Sequence, residues 1–113
     1  MKRLERGGGP IEKPGALRVL GMIARERGTL KRAVGLLEEG RSLMAPRRGS
    51  GEYARTLVEL ARTVARMGRR EEARRLMEES LAIYRRLEAL PLVQVTQQLA
   101  SELNVKGEDG DGR

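Results

Sequence analysis

Residues 53–84 read YARTLVELARTVARMGRREEARRLMEESLAIY. Leu57, Leu60 and Val64 precede the segment Met67-Gly68-Arg69-Arg70, and Leu76, Met77 and Leu81 follow it. Apolar residues three and four apart share one face of an α-helix, and the glycine between the two sets marks a tight turn. The stretch therefore predicts two amphipathic helices in a hairpin. Ala61, Ala73 and Ser80 are small where the two helices should touch. Such a hairpin cannot bury its apolar stripe alone and needs a copy of itself on each side.

A copy lies forty residues upstream. Leu57, Leu60 and Ala61 fall on Leu17, Leu20 and Gly21; Gly68 falls on Gly28, and Ala73 on Ala33. Leu76-Met77-Glu78-Glu79 falls on Leu36-Leu37-Glu38-Glu39, and Ser80 on Gly40. Downstream, Leu60-Ala61 reappears as Leu99-Ala100. The matches preserve size as well as polarity, so the chain reads as a tandem duplication.

The pattern resembles the tetratricopeptide repeat (TPR), a helix-turn-helix unit of 34 residues. With Ala54 as its first residue, Leu57 and Leu60 take the family's fourth and seventh positions. Ala61 takes the small eighth, Val64 the eleventh, Ala73 the twentieth, Met77 the twenty-fourth and Ser80 the small twenty-seventh. Val64 and Met77 stand where the family carries aromatics, and its terminal proline is absent at Arg85. The near-forty period resembles the kinesin-light-chain type and the helical repeats of large bacterial regulators. The resemblance covers roughly residues 14 to 104. It implies an all-α, right-handed α-solenoid of two helix-turn-helix repeats plus a C-terminal capping helix.

In chain order, the charged, glycine-rich residues 1–13 read as a flexible basic arm. Helix α1 is expected over about 15–27, burying Leu17, Leu20, Gly21 and Ala24. Helix α2 follows over about 30–44 with Thr29 as its cap, burying Ala33, Leu36, Leu37 and Gly40, with Leu43 as a further candidate. Gly35 has no evident reason to be there. A Pro/Gly linker ends at Ser50, a cap for α3 over about 52–67; α4 spans about 70–88. Beyond Pro91, α5 runs over about 92–103, with Thr96, Leu99, Ala100 and Leu103 facing repeat two. The polar, glycine-rich residues 105–113 are expected to be disordered. Nothing is expected to cover the outer face of α1, which invites homo-oligomerisation or an upstream repeat.

Composition narrows the function. The chain has 113 residues, no cysteine, no histidine and only two aromatics, both tyrosine. Cys/His metal sites and disulfides are excluded, and the core must rest on Leu, Ala, Val and Met. No GxSxG motif occurs, and the adjacent carboxylates Glu71-Glu72 and Glu78-Glu79 diverge by about 100° on a helix. No enzyme and no cofactor are expected. No apolar run could span a membrane, and a cytoplasmic, bacterial-type protein is the simplest reading. Net charge is +7. A basic domain can bind nucleic acid, but Glu71–Arg75, Arg74–Glu78 and Arg75–Glu79 are i,i+4 pairs on a solvated face. Nucleic acid is therefore the least favoured partner.

The resemblance places a concave groove along the first helix of each repeat. Its positions fall on Gly15, Arg18, Met22, Arg25 and Glu26 of α1, and on Arg55, Val58, Arg62, Ala65 and Arg66 of α3. On α5 and just beyond they fall on Gln94, Gln97, Ser101, Asn104 and Val105. The expected partner-binding residues are Arg18, Arg25, Arg55, Arg62, Arg66, Gln94, Gln97 and Ser101. Guanidinium forks suit carboxylates, and amides suit peptide backbone. The leading expectation is a non-catalytic module that holds an acidic or extended peptide of a partner protein. The alternatives are a regulatory fragment of a larger bacterial transcription regulator or signalling protein, and a basic nucleic-acid-binding helical domain.

Overall fold

A computed structural model describes residues 12–103. They form α1 (Glu12–Glu26), α2 (Leu30–Leu43), a 3-10 turn (Ala45–Arg47), α3 (Gly51–Arg66), α4 (Arg70–Arg86) and α5 (Leu90–Glu102). Among the described residues there is no strand, so the all-α expectation holds. Residues 1–11 of the expected arm and the whole expected tail lie outside the described residues. Its last two residues, Glu12 and Lys13, belong to α1 instead. Pro14 sits inside the first turn, where a backbone N–H would have no helical acceptor.

The helix ends follow from the glycines. Gly28 and Gly68 both take φ +85°. Gly28 N–H donates to Arg25 O at 2.9 Å and Thr29 N–H to Ala24 O at 3.0 Å. Gly68 and Arg69 repeat this on Ala65 O and Val64 O, at 3.0 and 2.9 Å. This is the left-handed helix stop that glycine favours. The same bonding closes α4, with Glu88 in the left-handed position at φ 58°. A residue with a Cβ costs about 1–2 kcal/mol there. No glycine announces this turn, so periodicity alone extends α4 to about residue 88 and begins α5 only after Pro91, whereas α4 ends at Arg86 and α5 begins at Leu90.

Capping splits the two expectations. Ser50 Oγ accepts from Tyr53 N–H at 3.1 Å and caps α3 as expected. Thr29 precedes α2 but makes no side-chain cap. Its hydroxyl donates backwards to Ala24 O at 3.0 Å, tying it to the end of α1.

The helices pack as α1–α2, α2–α3, α3–α4 and α4–α5, with a further contact between α1 and α3. Each hairpin thus touches its neighbour in chain order, as stacked repeats do. Helix α3 lies between three others and is buried on nearly every side, from Tyr53 to Val64. Leu57, Leu60, Ala61, Val64, Ala73, Met77 and Ala100 form one core, as their periodicity requires. Tyr53 and Tyr84 join it at 4% and 3% exposure, so two large side chains anchor a core expected to lack them. Val93 is also buried.

Close approach between α1 and α2 explains Gly21. A Cβ there would lie 2.6 Å from Leu37 Cγ, inside contact distance. At Gly40 the nearest atoms would be ordinary neighbours, Leu17 Cβ and Pro14 O at 3.5 Å, consistent with serine at the matching position 80. Gly35 faces open space.

The two repeats differ in one respect. Leu20 is 48% exposed, whereas its counterpart Leu60 is fully buried. Leu36 is only partly buried, whereas Leu76 is buried. The expectation that Leu20 and Leu36 are core residues is therefore corrected, as is that for Leu43, which is 39% exposed. The stripe is equally apolar in both repeats, but α2 packs against α3 while no described element lies beyond α1.

Candidate functional site

Helices α1 and α3 are held side by side by ions. Arg18 Nη1 lies 2.6 Å from Glu52 Oε1, and Arg25 Nη1 lies 2.8 Å from Glu59 Oε1. Arg25 Nη1 also donates to Glu59 O at 3.3 Å. Both pairs join residues 34 apart, although the repeat period is forty. The α3 counterparts of Arg18 and Arg25 are Val58 and Ala65, six residues, or about 9 Å of helix, past the glutamates they meet. Comparing like positions between repeats therefore misses Glu52 and Glu59. A signal for them existed: Arg18 and Arg25 are seven apart, and so are Glu52 and Glu59. Seven residues is close to two helical turns, so two facing helices can carry both pairs at once.

Around Arg25 the charges alternate in a chain. Arg66 Nη1 lies 3.8 Å from Glu26 Oε2, and Arg25 Nε lies 3.2 Å from the same oxygen. Glu59 then links Arg25, at 2.8 Å, to Arg62, at 3.7 Å. The centre is buried: Arg25 is 2% exposed and Glu59 8%. Burying a guanidinium demands paired carboxylates and hydrogen bonds, and Arg25 has both. The structure thus seats Arg25 between α1 and α3 rather than on an open surface. Its role is to hold the two helices together. The ends of the chain, Arg62 and Arg66, have side chains 37% and 45% exposed.

The other expected residues fall into two groups. Arg18 is partly buried and paired, and Arg55 is exposed with its guanidinium against the Tyr84 hydroxyl. Burial pushes the Tyr84 hydroxyl above its ordinary pKa, against the pull of Arg55 and Arg18. Gln94, Gln97 and Ser101 are all exposed on α5. Gln94 lines a cleft with Arg62, and the cleft's other α5 residues are Val95, Gln98, Leu99 and Glu102. Gln97 and Ser101 do not line it. Residues 100° apart on a helix decide this: α5 buries Val93, Thr96 and Ala100, and that turns Gln98 rather than Gln97 toward Arg62. Asn104 and Val105 lie outside the described residues.

Arg62 therefore stands between two shallow clefts. One, of about 440 Å³, opens toward α5. The other, of about 480 Å³, opens toward α1, where Val19, Met22 and Ile23 supply an apolar wall. This surface sets exposed guanidinium groups beside apolar side chains, with the Glu102 carboxylate at its α5 end. Among the described residues no cluster of carboxylates could ligate a metal ion, and no helix is long and apolar enough to cross a membrane. On the outer face of α4, Arg74 pairs with Glu71 and lies 2.7 Å from Glu78, and Arg75 turns to Glu71 at 3.4 Å rather than to Glu79.

The tetratricopeptide repeat profile matches residues 14–86, the span of both hairpins. No curated protein and no solved structure matches the chain. Helix α5 lies beyond the matched span and covers the apolar side of α4 with Val93, Thr96 and Ala100. With two stacked hairpins in the expected register and a match over most of its length, the chain belongs to the tetratricopeptide repeat family.

Proposed function

We propose that the surface centred on Arg62 binds an extended acidic segment of a partner protein. Repeats of this family generally mediate protein–protein interactions. One observation carries the narrower reading. The ion-pair chain through Arg25 contains three guanidiniums, of Arg66, Arg25 and Arg62, but two carboxylates, of Glu26 and Glu59. One positive charge is in surplus, and it resides at the exposed ends. An incoming carboxylate beside Arg62 continues the alternation of charge.

Each neighbour then has a task. Arg62 offers a fork that can take a carboxylate in two parallel hydrogen bonds. Gln94 and Gln98 can both donate to and accept from peptide backbone. Val95 and Leu99 on one side, Met22 and Ile23 on the other, cover apolar side chains of the ligand. Arg66 adds a second cation one turn along. Arg18 and Arg25 act as positioning residues that hold α1 against α3, and no catalysis is involved.

The test uses a fluorescein-labelled peptide of alternating glutamate and leucine, titrated with the full chain. Arg62→Glu is expected to weaken binding by about tenfold or more, because a hydrogen bond to a charged group is worth about 1.5–3 kcal/mol. Arg62→Gln, which removes the charge without placing a second carboxylate beside the buried Glu59, should weaken binding likewise while the melting curve barely changes. Undiminished binding by Arg62→Glu would sink the proposal. Tighter, steeply salt-dependent binding of duplex DNA that also needs Arg62 would reassign the surface to nucleic acid.

A further inference from the structure

A second cleft lies on the α1–α2 side of the described residues, sharing Ile23 and Arg27 with the Arg62 cleft toward α1 but lined by Leu20, Leu36 and Arg32 in place of Arg62. Leu20 and Ile23 of α1, 48% and 44% exposed, face a cleft of about 290 Å³ closed by Leu36 of α2. Arg27 and Arg32 form its rim, and no carboxylate lines it. We propose that this edge binds an acidic amphipathic helix of a partner protein. The helix would lie against α1 as α2 itself lies against α3. The proposal does not rest on the Arg62 reading.

The chain supplies the geometry. Forty residues on, the counterparts of Leu20, Ile23, Ala24 and Leu36 are Leu60, Thr63, Val64 and Leu76, and all four are buried. The element packed on that side of repeat two is α2. Val34 and Leu37 of α2 and Met44, which caps its C-terminus, pack into the shared core, and Arg41 of the same stripe reaches Tyr53 Oη at 3.4 Å. The spacing is therefore i, i+3, i+7, i+10, with a polar residue tolerated third. An occupant of the α1 edge needs the same spacing to fill the same kind of groove.

Charge supplies the partner's chemistry. Arg27 and Arg32 flank the cleft, with Lys31 exposed beside them. A helix whose apolar stripe is bordered by glutamate or aspartate is complementary to this rim. A second copy of the chain is a poorer match, because each copy carries a net +7 and like charge opposes association.

The probe is a labelled synthetic peptide of residues 30–44 carrying Lys31→Glu, Arg32→Glu and Arg41→Glu. Gly35→Ala and Gly40→Ala raise its helix content. We expect saturable binding to the full chain, about tenfold or more tighter than the same peptide without the three charge reversals. Leu20→Glu in the chain, at a residue that lines this cleft and neither Arg62 cleft, should remove most of it, with circular dichroism and melting unchanged, while Arg62→Glu leaves it intact. Leu20→Ser serves if Leu20→Glu does not fold. Equal binding by a scrambled acidic peptide overturns the proposal, since charge alone would then suffice. So does binding that ignores Leu20→Glu, which would mean the peptide displaces α2 instead. Sedimentation of the chain alone gives the last arm: dimers that Leu20→Glu dissolves would assign the edge to a second copy and end the proposal.

Discussion

Glu59→Ala removes the carboxylate at the middle of the α1–α3 ion-pair chain and leaves the Arg25 guanidinium sealed between the helices. At 2.8 Å, an effective dielectric of about 20 makes the lost attraction about 6 kcal/mol, before the desolvation that forming the pair had already cost. Removing one partner of a buried pair typically destabilises by about 3–5 kcal/mol. The lower end applies here, because Arg25 keeps Glu26 at 3.2 Å and the Glu59 carbonyl at 3.3 Å. About 3 kcal/mol is a large share of the total for a domain of this size. It should lower the melting temperature by more than about 12 °C. The double variant Arg25→Met/Glu59→Leu exchanges the pair for apolar contact and should fall within about 1 kcal/mol of the natural chain. Urea denaturation of the natural chain, Arg25→Met, Glu59→Leu and the double variant gives the coupling directly. A loss under about 1 kcal/mol for Glu59→Ala alone would refute the reasoning, because Arg25 would then have an alternative route to water. Added salt is a further check. It should weaken Arg18–Glu52, whose glutamate side chain is 54% exposed, and leave the buried pair nearly untouched.

Two further substitutions and a pH series test other parts of the structure. Gly21→Ala should destabilise despite alanine's better helix propensity. Its Cβ would meet the fully buried Leu37 at 2.6 Å, and overpacking of about 1–3 kcal/mol outweighs a gain of about 1 kcal/mol. Gly35→Ala, which meets nothing within 4 Å, should raise stability by about 1 kcal/mol. Thermal melts that rank the two variants the other way round would show the α1–α2 approach to be misjudged. Tyr84 sets the alkaline limit, because burial raises its pKa above the ordinary value. A folded-state pKa above the unfolded one contributes stability that is complete below the unfolded value and is lost as pH rises through the folded one. Urea midpoints should therefore hold level from pH 7 to 9 and decline beyond about pH 10. Tyr84→Phe should soften that decline, and an equal decline in the variant would exclude Tyr84 as its source.

The candidate surface was less legible than the fold. Register alone puts Arg62 and Gln94 at expected groove positions of their helices, and the two line one cleft. The register position of Arg25 points to the groove, yet it is drawn inward by Glu59, whose place opposite it depends on how far α3 is displaced along α1. Gln98 and Val95 were likewise hidden, since the roll of α5 is set by how Val93, Thr96 and Ala100 seat on the preceding hairpin.

The number of helices, their pairing into two hairpins and the small residues at their contacts are local matters. Periodicity, Gly28, Gly68 and Ser50 encode them within a few turns of chain, and so the linear order of residues was enough. Three things needed the folded molecule: the left-handed turn at Glu88, the partners of Arg18 and Arg25, and the exposure of Leu20. Each depends on where separate helices come to rest. An apolar stripe reads the same whether a neighbour covers it or not, and a charged side chain reads the same whether its counter-ion lies across the interface or in water.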